Sequence, residues 1–166
     1  MVWWVAPFGN SRRPDRCLVA QGYAGWLIIE HGVKSAPATQ VVDGHNLYRF
    51  PPKGRIKTST PIASGFATDE YYYVTPKGLV KIPDSDAPGK NAGSGPMVWA
   101  AKSFLGALPD EGIPDTEYAF VGTKSQYDKA DRGPSPKSEE QEVRDKAIEA
   151  EDRAYEAHKK AQSRSR

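Results

Sequence analysis

Fourteen prolines and fifteen glycines constrain this 166-residue chain more than any other feature. They favour many turns and short elements over a helical bundle. Between the breaks stand runs rich in β-branched and aromatic side chains, which suit a pleated, buried surface. Residues 17–20 and 25–30 (GWLIIE) are the best strand candidates. Residues 21–24 between them read as a turn or bulge, and Gly32 ends the pair. Residues 2–6 read as a short strand stopped by Pro7, and residues 117–122 as one more strand.

Two later segments resemble each other. YRFPPKGRIK (48–57) can be laid over YYVTPKGLVK (72–81), and each reads aromatic strand, Pro-Lys-Gly, β-branched residue and Lys. Proline fixes φ early in the turn and glycine supplies a positive φ two residues later, so both are expected to be type II hairpins. Two copies fall short of a repeat array, so the offset reads as one turn chemistry used twice.

Residues 83–96 carry no large apolar side chain and read as a flexible loop. Beyond it, Met97, Ala101, Phe104, Leu105 and Leu108 recur at helical spacing, with Pro96 suited to a first helical position. A helix of about 11 residues is expected there, packed on the sheet. Gly133-Pro134-Ser135-Pro136 marks a boundary between a β-rich domain (1–132), a linker (133–137) and a tail (138–166).

The tail reads as a long, charged helix. Ser138 and Gln141 fit a capping box, and Glu140–Arg144, Glu142–Lys146, Glu149–Arg153 and Glu156–Lys160 form i,i+4 pairs. Val143, Ala147, Ala150, Ala154, Ala157 and Ala161 alternate four and three apart, a weak heptad seam and a candidate partner-binding surface. The fold class expected is therefore α+β. It comprises a small, mostly antiparallel β domain (sheet or partly open barrel), one packed helix and a long, exposed C-terminal helix.

A lone Cys17 excludes an internal disulfide, so nothing requires an oxidising compartment. No run approaches the roughly 18 apolar residues of a membrane span, and the start lacks the basic region of a signal peptide. A cytoplasmic or virion-internal setting, with no membrane partner, is expected.

For chemistry, Asp43-Gly44-His45 is the best metal candidate, with His31 or Glu30 to complete the set of a metal-dependent hydrolase. Asp-Gly is equally a hairpin turn. No nucleophile elbow, phosphate loop or calcium loop is complete, so no catalytic residue and no cofactor is expected. The first 60 residues hold eight Lys/Arg against three acids, together with seven aromatics. Arg12, Arg13, Arg16, Arg49, Lys53, Arg55 and Lys57 could line a nucleic-acid-binding β face, with stacking from aromatics. The function expected first is a non-enzymatic binding or structural component of a larger, phage-type assembly. Its protein subunits, self or other, would be contacted through the tail helix and the loop.

Overall fold

The computed structural model describes residues 11–86, 94–106 and 113–130, together with Ile148, Arg153, Lys159 and Lys160. The expected strand at 2–6, most of loop 83–96 past residue 86, and the linker lie outside the described residues. Nine strands and one short helix follow in order: β1 (Asp15–Ala20), β2 (Gly25–Glu30), β3 (Gln40–Val42), β4 (His45–Arg49), β5 (Arg55–Lys57), β6 (Glu70–Thr75), β7 (Gly78–Ile82), β8 (Met97–Leu105), β9 (Thr116–Gly122) and α1 (Lys124–Lys129).

The strands form two mixed sheets, ordered β3-β4-β1-β6-β7 and β5-β2-β9-β8. β1 runs parallel to both β4 and β6, and β2 parallel to β5. The remaining ladders are antiparallel. Side chains alternate across each strand, so Cys17 and Val19 of β1 turn inward to meet Leu27 and Ile29 of β2 and Ala119 and Val121 of β9. Tyr48, Phe50, Tyr71 and Ile82 complete this core. A void of about 20 Å³ lies among Cys17, Leu27, Ile29, Phe50, Tyr71 and Ala119, room for a single water at most. On one side, parallel pairing of Asp84 with Val98 ties the end of β7 to β8. On the opposite side no ladder joins β4 to β5 among the described residues, and contacts of residues 37–39 with 58–60 bridge the sheets instead.

The outer face of the second sheet has its own apolar cluster. Met97, Trp99 and Phe120 pack with Trp26 and with Tyr127 of α1, whose ring stacks on Trp99 at 5.5 Å between centroids. A capping box between Thr123 and Gln126 starts α1.

These observations correct the α+β expectation. Residues 97–105 are strand β8, not a packed helix. Val98 faces the core while Met97 and Trp99 lie under α1, so the strand begins with a run that is apolar on both faces, and such a run cannot be told from a buried helix by periodicity. A register shift between Trp99 and Ser103, with Ala100 at φ 50°, interrupts its pairing with β9. The sheets are mixed rather than mostly antiparallel, and β1 and β2, expected to pair, stand in opposite sheets. No long C-terminal helix is among the described elements, whose one helix is the six-residue α1. The expected tail helix falls almost wholly outside the described residues. Its four described positions are locally helical and exposed, and compose no element.

Candidate functional site

The outer face of the first sheet gathers the Asp43–His45 candidate. Asp43 (φ 48°) and Gly44 (φ 74°) form the two-residue turn that joins β3 to β4, the hairpin alternative for this motif. Arg16 lies beside Glu70 in register and bonds its Oε2 through Nε and Nη2, each at 3.3 Å. Lys81 reaches the other carboxylate oxygen at 3.4 Å. His45 Nδ1 lies 2.8 Å from the Asp43 carbonyl and 3.4 Å from Arg16 Nη2. The Asp43 carboxylate points to solvent, 82% exposed and 3.9 Å from Arg16. A guanidinium thus occupies the centre that a metal would need. His31 sits elsewhere, buried at the end of β2 with Nε2 3.0 Å from Glu117 Oε2 and Nδ1 3.3 Å from the Thr60 carbonyl. Among the described residues no group of three His, Cys, Asp or Glu could hold a metal. Burial opposes ionisation of Glu70, but bonds from Tyr72, Lys81 and Arg16 outweigh it and hold the carboxyl below its ordinary value.

The seven basic candidates do not share a face. Arg12 is half-buried in a network with Asp69, at 3.0 Å from its Oδ1, and with Asp15 at 3.4 Å. Asn46 donates to Asp15 at 2.8 Å. Burial pulls the Arg12 guanidinium down, yet the hydrogen bonds and charges of Asp69 and Asp15 more than restore it. Arg16 is spent on Glu70. Arg55 and Lys57 flank the buried Glu30 of the second sheet, at 2.6 and 3.8 Å. Lys53 sits on the turn before β5, Arg13 approaches the Asn46 side chain at 3.5 Å, and Arg49 is exposed on β4. The described aromatics of this region serve packing. Tyr48 and Phe50 are core, Trp26 meets Phe120 and Tyr127, and Tyr23 packs against the core. The seam residues Val143, Ala147, Ala150, Ala154, Ala157 and Ala161 lie outside the described residues.

Two surfaces emerge that sequence reasoning missed. The first is the outer edge of β7, where Leu79 and Val80 are 50% and 53% exposed and Val74 on β6 is 45% exposed. Its signal was the bare Leu-Val pair after Pro-Lys-Gly. The second is a groove of about 250 Å³ between the approach to β3, the end of β4 and β5. Pro37, Ala38, Leu47 and Ile56 give it apolar walls, Thr39, Thr58 and Tyr48 supply hydroxyls, and Arg49 and Lys57 bring positive charge. β3 pairs with β4 only as far as Gln40 opposite Leu47. Before Gln40 the chain swings to the other sheet, where Thr39 Oγ1 and Thr58 Oγ1 are 2.9 Å apart. Burial pushes the Tyr48 phenol well up, against an opposing hydrogen bond with Thr39.

Residues 11–86 match a family of unknown function (DUF6843). The matched stretch holds β1 to β7, hence the whole first sheet and two strands of the second. No curated protein matches the chain. A crystal structure of a candidate lipoprotein from Bacillus anthracis is 19% identical, with a TM-score of 0.47, over 85% of this chain and 96% of that one. The cytoplasmic and virion-component settings expected from the sequence find no support in that description, which is of the neighbour alone. At this TM-score the likeness carries no argument about function. Among the described residues no helix is long and apolar enough to cross a membrane.

Proposed function

We propose that this protein is a non-catalytic assembly component that associates through the outer edge of β7, pairing there with β7 of a second copy. The observation that supports the reading is the half-exposed Leu79 and Val80 on a strand whose pairing among the described residues is to β6 alone. Sheet edges present unpaired donors and acceptors, and soluble proteins usually blunt them with charge or proline. Here two consecutive apolar residues, one for each face of the sheet, remain at the edge. Strand addition satisfies the backbone and covers both side chains. Two copies of one strand about a two-fold axis supply each other with complementary groups, and the arrangement closes on itself. Most of the tail and the middle of the loop expected to make partner contacts lie outside the described residues, and neither segment takes part in this reading.

Light scattering behind a sizing column tests it, over a range of concentrations. The wild-type chain of 18.2 kDa should move toward twice that mass as concentration rises. Val80→Lys, which sets like charges opposite each other at the centre of the pair, should remain a monomer. A wild-type monomer throughout, or a dimer that survives Val80→Lys, overturns the reading.

A further inference from the structure

The groove between β4 and β5 lies on the far edge of the first sheet from β7, and nothing in the proposed association uses it. We infer that it is a binding site for a small organic anion: a compact apolar body carrying one carboxylate or phosphate.

Size comes first. At about 250 Å³ the groove falls just below the range of pockets that take drug-sized ligands, which suits a smaller molecule. The walls decide the body. Pro37, Ala38, Leu47 and Ile56 offer apolar contact on both sides, while the Thr39 and Thr58 hydroxyls, 2.9 Å apart, hold the two walls at a fixed spacing. Such convergence of a few polar groups on an apolar cleft is how ligand sites fix orientation.

Charge decides the head group. None of the described residues lining the groove is acidic, and two are cationic. Arg49 is exposed and makes no ion pair among the described residues, unlike Arg12, Arg16 and Arg55. Lys57 adds its charge from β5, 3.8 Å from Glu30. An arginine presents a planar fork matched to carboxylate and phosphate. The backbone adds a further donor. Asn46 N–H donates to Pro14 and Phe50 N–H to Leu18, both at 2.9 Å, so even-numbered amides near β4 face β1. The Arg49 amide, on the opposite parity, faces the side that β3 has already left. Arg49 thus brings a main-chain donor to this edge in addition to its guanidinium, which belongs to the groove's lining.

The test is a titration of the full, uniformly labelled chain, followed by ¹H–¹⁵N correlation spectra. The probes are phenyl phosphate and benzoate, with benzyl alcohol as a neutral molecule of similar body. Saturable shifts are expected at Thr39, Gln40, Arg49, Ile56 and Thr58 with at least one anion, and at least tenfold weaker binding of benzyl alcohol. Whichever anion binds more tightly tells phosphate from carboxylate as the preferred head group. Arg49→Glu should weaken that anion at least tenfold while the rest of the spectrum holds its dispersion. No saturable shift at the groove with either anion overturns the site, and so does equal affinity for benzyl alcohol. Anion binding that survives Arg49→Glu also overturns it. Because anion and alcohol are compared on the wild-type chain, the test stands even if the variant fails to fold.

Discussion

The two Pro-Lys-Gly segments are nearly superimposable as sequence and opposite as structure. After Pro76-Lys77-Gly78 the chain turns back, and β7 pairs antiparallel with β6 from Thr75 opposite Gly78 to Tyr71 opposite Ile82. After Pro52-Lys53-Gly54 it leaves the sheet altogether. β4 belongs to the first sheet, and β5 joins the second, parallel to β2. The expected second hairpin is a corner between sheets. Nor is either turn type II. Gly54 N–H bonds the Pro51 carbonyl at 2.8 Å, so glycine takes the fourth position with φ 71° and Lys53 has no positive φ. Turn chemistry reverses the chain locally but does not choose the partner of the strand that follows. The two turns differ in what the glycine touches. Gly54 lies against the Tyr23 hydroxyl and the Trp26 carbonyl, whereas the space beside Gly78 is open to 4 Å.

The sharpest way to break this comparison is to add one methyl to each glycine. In Gly54→Ala the new Cβ would overlap Tyr23 Oη and the Trp26 carbonyl, and backbone cannot yield as a side-chain end can. The bond from Ile28 N–H to the Gly54 carbonyl, 2.8 Å long, would be strained with it. A loss of roughly 3 kcal/mol or more is expected, seen as a melting temperature about 10 °C lower. Gly78→Ala meets no atom and is left with the strain of φ 118° alone, about 1–2 kcal/mol. Thermal melts of the two variants side by side check this. Equal losses would mean that the corner is held by its turn and not by its contact with β2.

Tyr23 sharpens the point, because it joins the two regions. Its hydroxyl donates to the Trp26 carbonyl at 2.6 Å beside Gly54, and its own carbonyl accepts from Tyr73 of β6 at 3.0 Å. Tyr23→Phe removes only the corner bond, for about 1 kcal/mol in urea unfolding at neutral pH. Burial raises the Tyr23 phenol above its ordinary value of 10.0. A raised value means that its contribution is complete below pH 10 and lost as pH climbs toward the folded value. The variant should therefore lose less stability than wild type above pH 10, and an unchanged alkaline slope would count against burial at the corner.

How much of this was legible follows the same division between local and distant. β1, β2, β7 and β9 are readable because alternation and β-branched content act within a few residues. Their partners are not, since nothing in residues 15–30 says that β1 and β2 part to opposite sheets. The basic residues misled for a related reason. Arg12 and Arg16 look like a cationic patch until Asp69 and Glu70, 57 and 54 residues further on, fold against them. The groove is less legible still, being assembled from three separate segments that carry no shared motif.

The smallest expected effect lies at the hairpin base, where Glu70 of β6 meets Lys81 of β7 and Arg16 of β1. These groups are partly solvated, so Glu70→Gln should cost under about 1 kcal/mol at neutral pH. The sign with pH is more telling than the size. The Glu70 carboxyl is held below its ordinary value, so its contribution is present above that value and disappears as pH falls through the lower folded one. Wild type and Glu70→Gln should therefore converge in stability as pH is lowered past the ordinary carboxylate range, measured by urea unfolding at stepped pH. Since the same carboxylate holds Lys81 next to Val80, the hairpin edge would loosen together with this pair. Parallel curves would show instead that the hairpin stands on its backbone ladder and its buried tyrosines, with the surface charges as bystanders.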